Sequence, residues 1–208
     1  MAKPPDFLEK PLDWVFSTPS SVAVLRSLRD SKEGMSGRAV AREGGINHQT
    51  CALTVIRLES LGLVKRQGSG KTRLISLNFD HFLIQEVLLP LLRKEREMAA
   101  RIRRDIAGGI GEQALSTTLF GSAARGGSVP GSDVDLLVIA PPEAKTGLVK
   151  KAEDFSREFM RRYGIRLAPI VMTVREAKNR AGKADPLLGN ILREGIDLGA
   201  GKLREVLK

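Results

Sequence analysis

Two carboxylates and a glycine–serine turn are the residues of this sequence best suited to chemistry. Gly121-Ser122 directly follows the β-prone run 114–120, and Asp133-Val134-Asp135 opens the apolar run 136–139. Because side chains alternate along a strand, Asp133 and Asp135 are expected on the same face. Adjacent carboxylates raise each other's pKa unless a cation compensates them, and Mg²⁺, which prefers oxygen ligands, is the expected cation.

The turn before the carboxylates is suited to binding phosphate. Gly121 lets the backbone approach an anion closely, and Ser122 offers a hydroxyl and an amide at the predicted start of a helix. Neither signal is specific alone, because Gly-Ser is a common turn and Asp-x-Asp is often a solvated entrance to a strand. Their combination, with each motif at the end of a strand, predicts a site for phosphate and metal.

The two motifs together resemble a known superfamily. Gly121-Ser122-Ala123-Ala124-Arg125-Gly126 and Ser132-Asp133-Val134-Asp135-Leu136 are similar to the motifs of the nucleotidyltransferase (DNA polymerase β-like) superfamily, including its minimal nucleotidyltransferases. The resemblance covers about 111–196 and implies an α/β domain with a mixed sheet. It also implies that Gly121 and Ser122 contact a nucleoside triphosphate, that Asp133 and Asp135 hold Mg²⁺ as catalytic residues, and that Arg125 supports the loop or the phosphates.

One part of the superfamily pattern is missing. The pattern includes a third carboxylate on a later strand of the same sheet, which helps to bind the metal that activates the attacking hydroxyl. The matching strand is predicted at 165–172 and contains no Asp or Glu. Glu176 lies in the next predicted helix, 174–181, and is not counted. The sequence therefore predicts nucleotide binding and leaves turnover open.

The first part of the chain is predicted to contain three helices. Thr18-Pro19, Ser36 and Asn47 are typical helix starts, and Gly44-Gly45 and Gly62 are typical helix ends. The apolar side of the third helix is predicted from its leucines and isoleucine, namely Leu53, Ile56, Leu58 and Leu61. Two strand-like runs, 63–67 and 72–77, follow, joined as a hairpin by Gly68-Ser69-Gly70-Lys71.

This order of elements resembles the winged helix-turn-helix family over about 12–78. Seven basic residues stand against two acidic ones between 36 and 75, a local net charge of +5. The resemblance implies that double-stranded DNA is a partner, with the third helix in the major groove. Its leading residues near base edges would be Asn47, His48, Gln49 and Thr50, and its phosphate contacts would be Lys65, Arg66, Lys71 and Arg73. The alternative is a small helical domain with no nucleic acid partner.

The predicted fold class is α+β, with three segments. They are a winged helix-turn-helix domain at 12–80, a linking helix at 81–108 and a nucleotidyltransferase-fold α/β domain with a mixed sheet at 109–208. Gly108-Gly109 is expected to end the linking helix, which could instead pair two copies in a homodimer. A closing amphipathic helix is predicted from 185 to 198.

Composition narrows the class of protein. The net charge of +10 favours polyanionic partners, and the 4% of aromatic residues predicts aliphatic cores. No apolar run is long enough to span a membrane and the start lacks an apolar leader, so a soluble cytoplasmic protein is expected. Cys51, the lone cysteine, excludes an intramolecular disulfide and is expected in the core.

Two functions from different classes fit these observations. In the first, a DNA-binding protein transfers a nucleoside monophosphate from a Mg²⁺–nucleoside triphosphate complex to an acceptor hydroxyl. In the second, a transcriptional regulator carries a catalytically degenerate nucleotidyltransferase-like domain as a sensor or dimerisation unit. The first half of the motif favours the enzyme, and the missing acid together with the predicted DNA reader favours the regulator.

Overall fold

The computed structural model describes residues 6–68, 73–110, 113–199 and 201–208. The chain divides into two compact units, Met1–Met98 and Ala99–Lys208. Within the described ranges, no helix is both long enough and apolar enough to cross a bilayer.

The N-terminal unit combines helices with a small antiparallel sheet. Its elements are α1 (Pro11–Val15), α2 (Pro19–Leu28), β1 (Met35–Ser36), α3 (Gly37–Glu43), α4 (His48–Ser60), β2 (Val64–Gln67), β3 (Leu74–Leu77) and the start of α5 (Leu89–Ile110), which a π-helical turn, Ile84–Leu88, precedes. The strand order is β1-β3-β2. The short strand β1, which the sequence did not indicate, pairs Met35 with Ile75. The hairpin loop predicted around Gly70 and Lys71 lies outside the described residues.

The predicted helix starts of α3 and α4 are confirmed by their caps. The side chain of Ser36 accepts a hydrogen bond from the backbone N–H of Ala39 at 3.3 Å, and Asn47 Oδ1 accepts one from Thr50 at 2.8 Å. These bonds satisfy amide groups that have no partner inside the helix. Gly45, just after α3, has φ +62°, a left-handed conformation that ends a helix.

The predicted apolar face of α4 is wrong in part. The buried side chains are those of Cys51, Thr54, Val55 and Leu58, whereas Leu53 is 62% and Ile56 is 53% exposed. Residues three and four positions apart share a helix face, so a face through Cys51, Val55 and Leu58 excludes Leu53 and Ile56. The polar Thr54 is accommodated on the buried face because its hydroxyl donates to Ser20 Oγ at 2.8 Å.

The C-terminal unit is built on a four-stranded mixed sheet, as predicted. After α5 its elements are β4 (Ser116–Phe120), α6 (Gly121–Ala124), β5 (Val134–Ala140), a 3₁₀ turn (Pro142–Ala144), α7 (Lys145–Tyr163), β6 (Leu167–Thr173), α8 (Val174–Gly182), α9 (Pro186–Glu194), β7 (Ile196–Asp197) and α10 (Leu203–Val206). The strand order is β6-β5-β4-β7. In this sheet β5 and β6 are parallel, and the other two pairings are antiparallel.

Helices cover both faces of this sheet. On one face Leu136 and Val138 of β5 pack in a cluster with Ile106 of α5 and Phe159 of α7. On the other, Leu137 and Ile139 pack in a cluster with side chains of α8, α9 and α10. Asp135 shares the parity of Leu137 and Ile139, so its carboxylate opens on the face that α8 to α10 cover.

Two sequence predictions for this unit are corrected by the structure. Helix α5 does not end at Gly108-Gly109 but continues to Ile110, because the sheet-facing side of α5 is buried and packing outweighs the low helix propensity of glycine. The predicted closing helix ends at Glu194 and is followed by β7, which pairs with β4. Gly195 permits this turn, since a Cβ there would lie 2.5 Å from Ile191 O and 2.6 Å from Thr118 Cγ2.

The two adjacent glycines of α5 should respond oppositely to alanine. A Cβ at Gly109 would collide with the ring of Phe155, whereas a Cβ at Gly108 meets no atom within 4 Å. We expect Gly109→Ala to destabilise the C-terminal unit by about 1–3 kcal/mol through overpacking. Gly108→Ala should stabilise it by up to about 1 kcal/mol through helix propensity. Urea unfolding of both variants measures this difference, and equal effects would contradict the packing of Phe155 on Gly109.

Candidate active site

The predicted site lies where β4 ends and β5 begins. Phe120, the last residue of β4, pairs with Asp135 of β5, so Gly121 follows directly beside this carboxylate. Gly121 has φ +72°, and a Cβ at this position would collide with Asp135 Oδ2. Glycine is therefore required at position 121 both by the backbone conformation and by the space that the carboxylate occupies.

The two predicted metal ligands differ in their electrostatic surroundings. Asp133 precedes β5 and accepts a two-pronged contact from Arg166, with Nε at 2.6 Å from Oδ1 and Nη2 on Oδ2. This hydrogen-bonded guanidinium lowers the pKa of Asp133. Burial, and then the charge of Asp133, raise the pKa of Asp135. Among the described residues no donor reaches the Asp135 carboxylate, so its charge is uncompensated.

This pair of carboxylates fits one hard cation that also binds phosphate. No group of three or more histidine, cysteine, aspartate or glutamate side chains able to hold a metal occurs in the described part of the chain. Mg²⁺ commonly uses one or two carboxylates and completes its shell with water and phosphate oxygens. The uncompensated charge of Asp135 next to Asp133 provides the attraction that such an ion needs.

The position of the missing third carboxylate follows from the register of the parallel strands. Asp135 of β5 pairs with Ala168 of β6, and paired residues of neighbouring strands point to the same face. The residue beside Asp135 on β6 is therefore an alanine. Glu176, which lies in the first turn of α8, follows the other end of β6, where Thr173 pairs with Ala140.

Glu176 has a structural role at that far end. Its Oε2 accepts a hydrogen bond from the backbone N–H of Thr173 at 2.8 Å, closing a capping box at the start of α8. Lys145 donates to its Oε1 at 2.7 Å. The Lys145 hydrogen bond and, after it, the Thr173 amide lower the pKa of Glu176 to about 2. The carboxylate is thus already fully partnered away from the candidate site.

The remaining predicted nucleotide-binding residues lie in and after a single helical turn. Helix α6 has four residues, so it contributes less to anion binding through its dipole than the predicted helix start implied. Ser122 lies in this turn, and its carbonyl accepts from Gly127 N at 2.9 Å. Arg125 follows α6, and its Nη1 contacts Glu194 Oε2 at 3.2 Å. Its guanidinium is therefore shared with a carboxylate of α9.

One open cavity of the C-terminal unit does not coincide with the predicted site. It has a volume of about 1340 Å³ and lies between α7 and the edge strand β6, with Phe155, Met160 and Pro169 among its lining residues. Arg166 lines this cavity and also contacts Asp133. We place the candidate site at the carboxylates because Asp135 lies beside the glycine–serine turn, whereas neither Gly121 nor Ser122 lines the cavity.

The residues predicted to face base edges lie around the start of α4. His48 and Gln49 are exposed, and the Asn47 side chain is also exposed although its Oδ1 caps the helix. Thr50 is half-buried and lines a small cavity with Ser20 of α2 and with Thr18, which precedes α2. His48 and Gln49 are therefore the freest to contact a partner.

The predicted phosphate contacts are unequally available. Lys65 Nζ contacts Asp80 Oδ2 at 2.7 Å, and Arg66 Nε lies 3.0 Å from Glu59 Oε2. Arg73 is exposed, and no acidic partner contacts it among the described residues. Lys71 lies outside the described residues.

Arg166 is the site residue that reasoning from the sequence missed as a partner of Asp133. Arg166 directly precedes β6, and only the register of β6 on β5, with Leu167 paired to Val134, brings it to Asp133. Asp197 was also missed, because a helix was predicted there. Its Oδ1 accepts a hydrogen bond from Thr118 Oγ1 at 2.8 Å, and this bond joins the edge strand β7 to β4.

Comparison with known proteins agrees with this geometry. Residues 111–186 match the family described as nucleotidyltransferase domain. A Methanocaldococcus jannaschii protein named as a candidate protein adenylyltransferase is 42% identical over 84 residues, which are 39% of this chain. The match spans 56% of that relative's length. Domains of this family generally use divalent metal ions, commonly Mg²⁺. Residues 111–186 of this chain are therefore a nucleotidyltransferase domain.

Proposed function

We propose that the C-terminal unit binds a nucleoside triphosphate together with Mg²⁺ and transfers a nucleoside monophosphate to an acceptor hydroxyl. The observation that carries this proposal is the close approach of Gly121 to the uncompensated carboxylate of Asp135. It combines a backbone open to phosphate with a carboxylate that attracts a cation. The name of the archaeal relative supports adenosine as the nucleoside and a protein as the acceptor.

Each side chain has a distinct role in this proposal. Gly121 and Ser122 contact the triphosphate through backbone amides and the serine hydroxyl. Asp133 and Asp135 hold the cation, which when bound neutralises the phosphates and polarises the phosphorus that is attacked. Arg125 is close enough along the chain to support the phosphate-binding turn, with Glu194 fixing its guanidinium.

A second candidate function is favoured by Ala168. With no carboxylate beside Asp135 on β6, the described site lacks the third metal ligand that the superfamily pattern uses to activate the attacking hydroxyl. In this alternative the domain binds the nucleotide without transferring it and serves as a sensor or dimerisation unit of a regulator. The two candidates share the binding step and differ in turnover.

For the N-terminal unit we propose binding to double-stranded DNA. The order α2, β1, α3, α4, β2, β3, the exposed His48 and Gln49 at the start of α4 and the local charge of +5 support this proposal. His48 and Gln49, with Asn47 and Thr50 beside them, would meet base edges, while the basic residues would meet phosphates. We further propose that the protein acts in the cytoplasm, where nucleoside triphosphates are available to it.

Substitution of Asp135 tests the binding step. We expect Asp135→Asn to weaken binding of the Mg²⁺–ATP complex by about tenfold or more, because one charged ligand of the cation is removed. Isothermal titration calorimetry measures the affinity. Asp154→Asn, which removes a charge from the exposed surface of α7, is the matched control. Absence of binding by the wild-type protein in excess Mg²⁺ would refute the proposed function.

Substitution of Ala168 separates the two candidates. Ala168 is half-buried and paired with Asp135, so an aspartate at this position would lie beside Asp135 without being fully buried. We expect Ala168→Asp to raise the rate of pyrophosphate release or self-labelling with labelled ATP on the order of tenfold or more. Ala168→Asn, of nearly equal size, should not. If both variants bind nucleotide and turn over equally, the third-carboxylate position lies elsewhere.

The salt dependence of DNA binding tests the N-terminal proposal. Replacement of Lys71 and Arg73 by alanine should reduce the slope of log affinity against log salt by about one for each phosphate that the variant no longer binds. Lys65→Ala should change it less, because Asp80 already pairs with Lys65. Fluorescence anisotropy with a labelled duplex at several salt concentrations gives the slopes. An unchanged slope in the double variant would remove the hairpin from the interface.

A further inference from the structure

The contact between Arg166 and Asp133 occupies a ligand of the proposed cation. Arg166 Nε lies 2.6 Å from Oδ1 of Asp133, and Nη2 contacts Oδ2, so both carboxylate oxygens accept from one guanidinium. Arginine matches a carboxylate in this two-pronged geometry particularly well. The guanidinium therefore supplies, at Asp133, the positive charge that Asp135 lacks.

The same arginine is largely exposed to solvent. Its side chain is 71% exposed, while that of Asp133 is 29% exposed. Water and dissolved ions reach a pair with this exposure and screen its attraction, so a ligand can compete with Asp133 for the guanidinium. Nothing else holds Arg166 among the described residues, since its only ion pair there is with Asp133.

We propose that Arg166 is a positioning residue that weakens the binding of a free divalent cation to the site and favours a cation that arrives with a nucleotide. Free Mg²⁺ would have to displace the guanidinium from Asp133 and leave it without a partner. A metal–triphosphate complex offers the displaced guanidinium phosphate oxygens, to which arginine also binds in two-pronged fashion. The exchange of carboxylate for phosphate couples the binding of metal to the binding of nucleotide. This inference rests on the proposed binding of a metal–nucleotide complex.

Electrostatics predict how Arg166 affects each of the two binding steps, that of the cation and that of the triphosphate. With Arg166 in place, the two carboxylates and the guanidinium carry a net charge of −1, whereas without it the pair carries −2 and attracts a free cation more strongly. Removal of Arg166 should therefore favour the metal alone. It should disfavour the triphosphate, because one positive charge near the phosphates disappears.

The test measures the affinity for Mn²⁺, as a spectroscopic substitute for Mg²⁺, by electron paramagnetic resonance, with and without a non-hydrolysable ATP analogue. In the wild-type protein we expect the analogue to tighten Mn²⁺ binding markedly. In Arg166→Ala, free Mn²⁺ should bind on the order of fivefold more tightly. In this variant, the increase in Mn²⁺ affinity caused by the analogue should be smaller by a similar factor. These readouts require no turnover.

Two further variants keep the interpretation specific. Arg157→Ala is the matched control, because Arg157 is 72% exposed and pairs with a neighbouring aspartate, Asp154, on α7. It removes the same charge from the unit and should leave Mn²⁺ affinity unchanged. In an Asp133→Asn background, Arg166→Ala should tighten Mn²⁺ binding less than it does when Asp133 is present, because the competing ion pair is already absent and only the repulsion between the guanidinium and the cation is removed. Thermal unfolding of each variant confirms that it is folded.

The outcomes separate this inference from the proposed function. If the wild-type protein binds the Mn²⁺–analogue complex but Arg166→Ala leaves free Mn²⁺ affinity unchanged, the role of Arg166 is refuted and the proposed function stands. An equal change in Arg157→Ala would also refute it, since net charge alone would then explain the effect. If neither protein binds Mn²⁺ with or without the analogue, both proposals fail.

Discussion

A side chain at position 121 would occupy the space of the Asp135 carboxylate, and this steric constraint governs the whole candidate site. Because β4 and β5 pair antiparallel with Phe120 opposite Asp135, the chain must leave β4 directly beside the carboxylate. Only glycine satisfies both the positive φ and the close approach. The backbone amides that follow are thereby held next to a negative charge, an arrangement that is unfavourable for an anion unless a cation lies between them.

The second constraint on the site is that its two carboxylate charges are compensated unequally. Asp133 and Asp135 lie two residues apart, yet an arginine neutralises the first and nothing in the described structure neutralises the second. The pKa of Asp133 is lowered and the pKa of Asp135 is raised, as this difference in surroundings requires. A protein that required both carboxylates only for stability would gain more from a second basic partner. The unequal compensation instead suits a site in which one charge is reserved for a ligand.

Local signals in the sequence predicted much of this structure, whereas contacts set by strand register escaped them. The caps at Ser36 and Asn47 and the strand after Asp133 depend on residues near in sequence, and each was predictable. The pairing of Arg166 with Asp133 and of Ala168 with Asp135 depends on how β6 aligns with β5, which no local pattern encodes. The end of α5 was mispredicted for a related reason. Gly109 is a residue typical of helix ends, but the ring that packs against it belongs to Phe155, which is distant in sequence.

The two units are proposed to meet phosphate by different physical means, and this difference has a consequence. In the nucleotidyltransferase domain, a cation held by carboxylates would mediate the contact, so the attraction is local and partly shielded from salt. In the N-terminal unit, exposed basic side chains such as Arg73 would meet phosphates directly, and ions in solution compete with each such contact. Lys65 and Arg66 are partly neutralised by Asp80 and Glu59, so their contribution requires exchange of partners. Rising salt should therefore weaken DNA binding well before it weakens nucleotide binding, which allows the two activities to be measured independently in the intact chain.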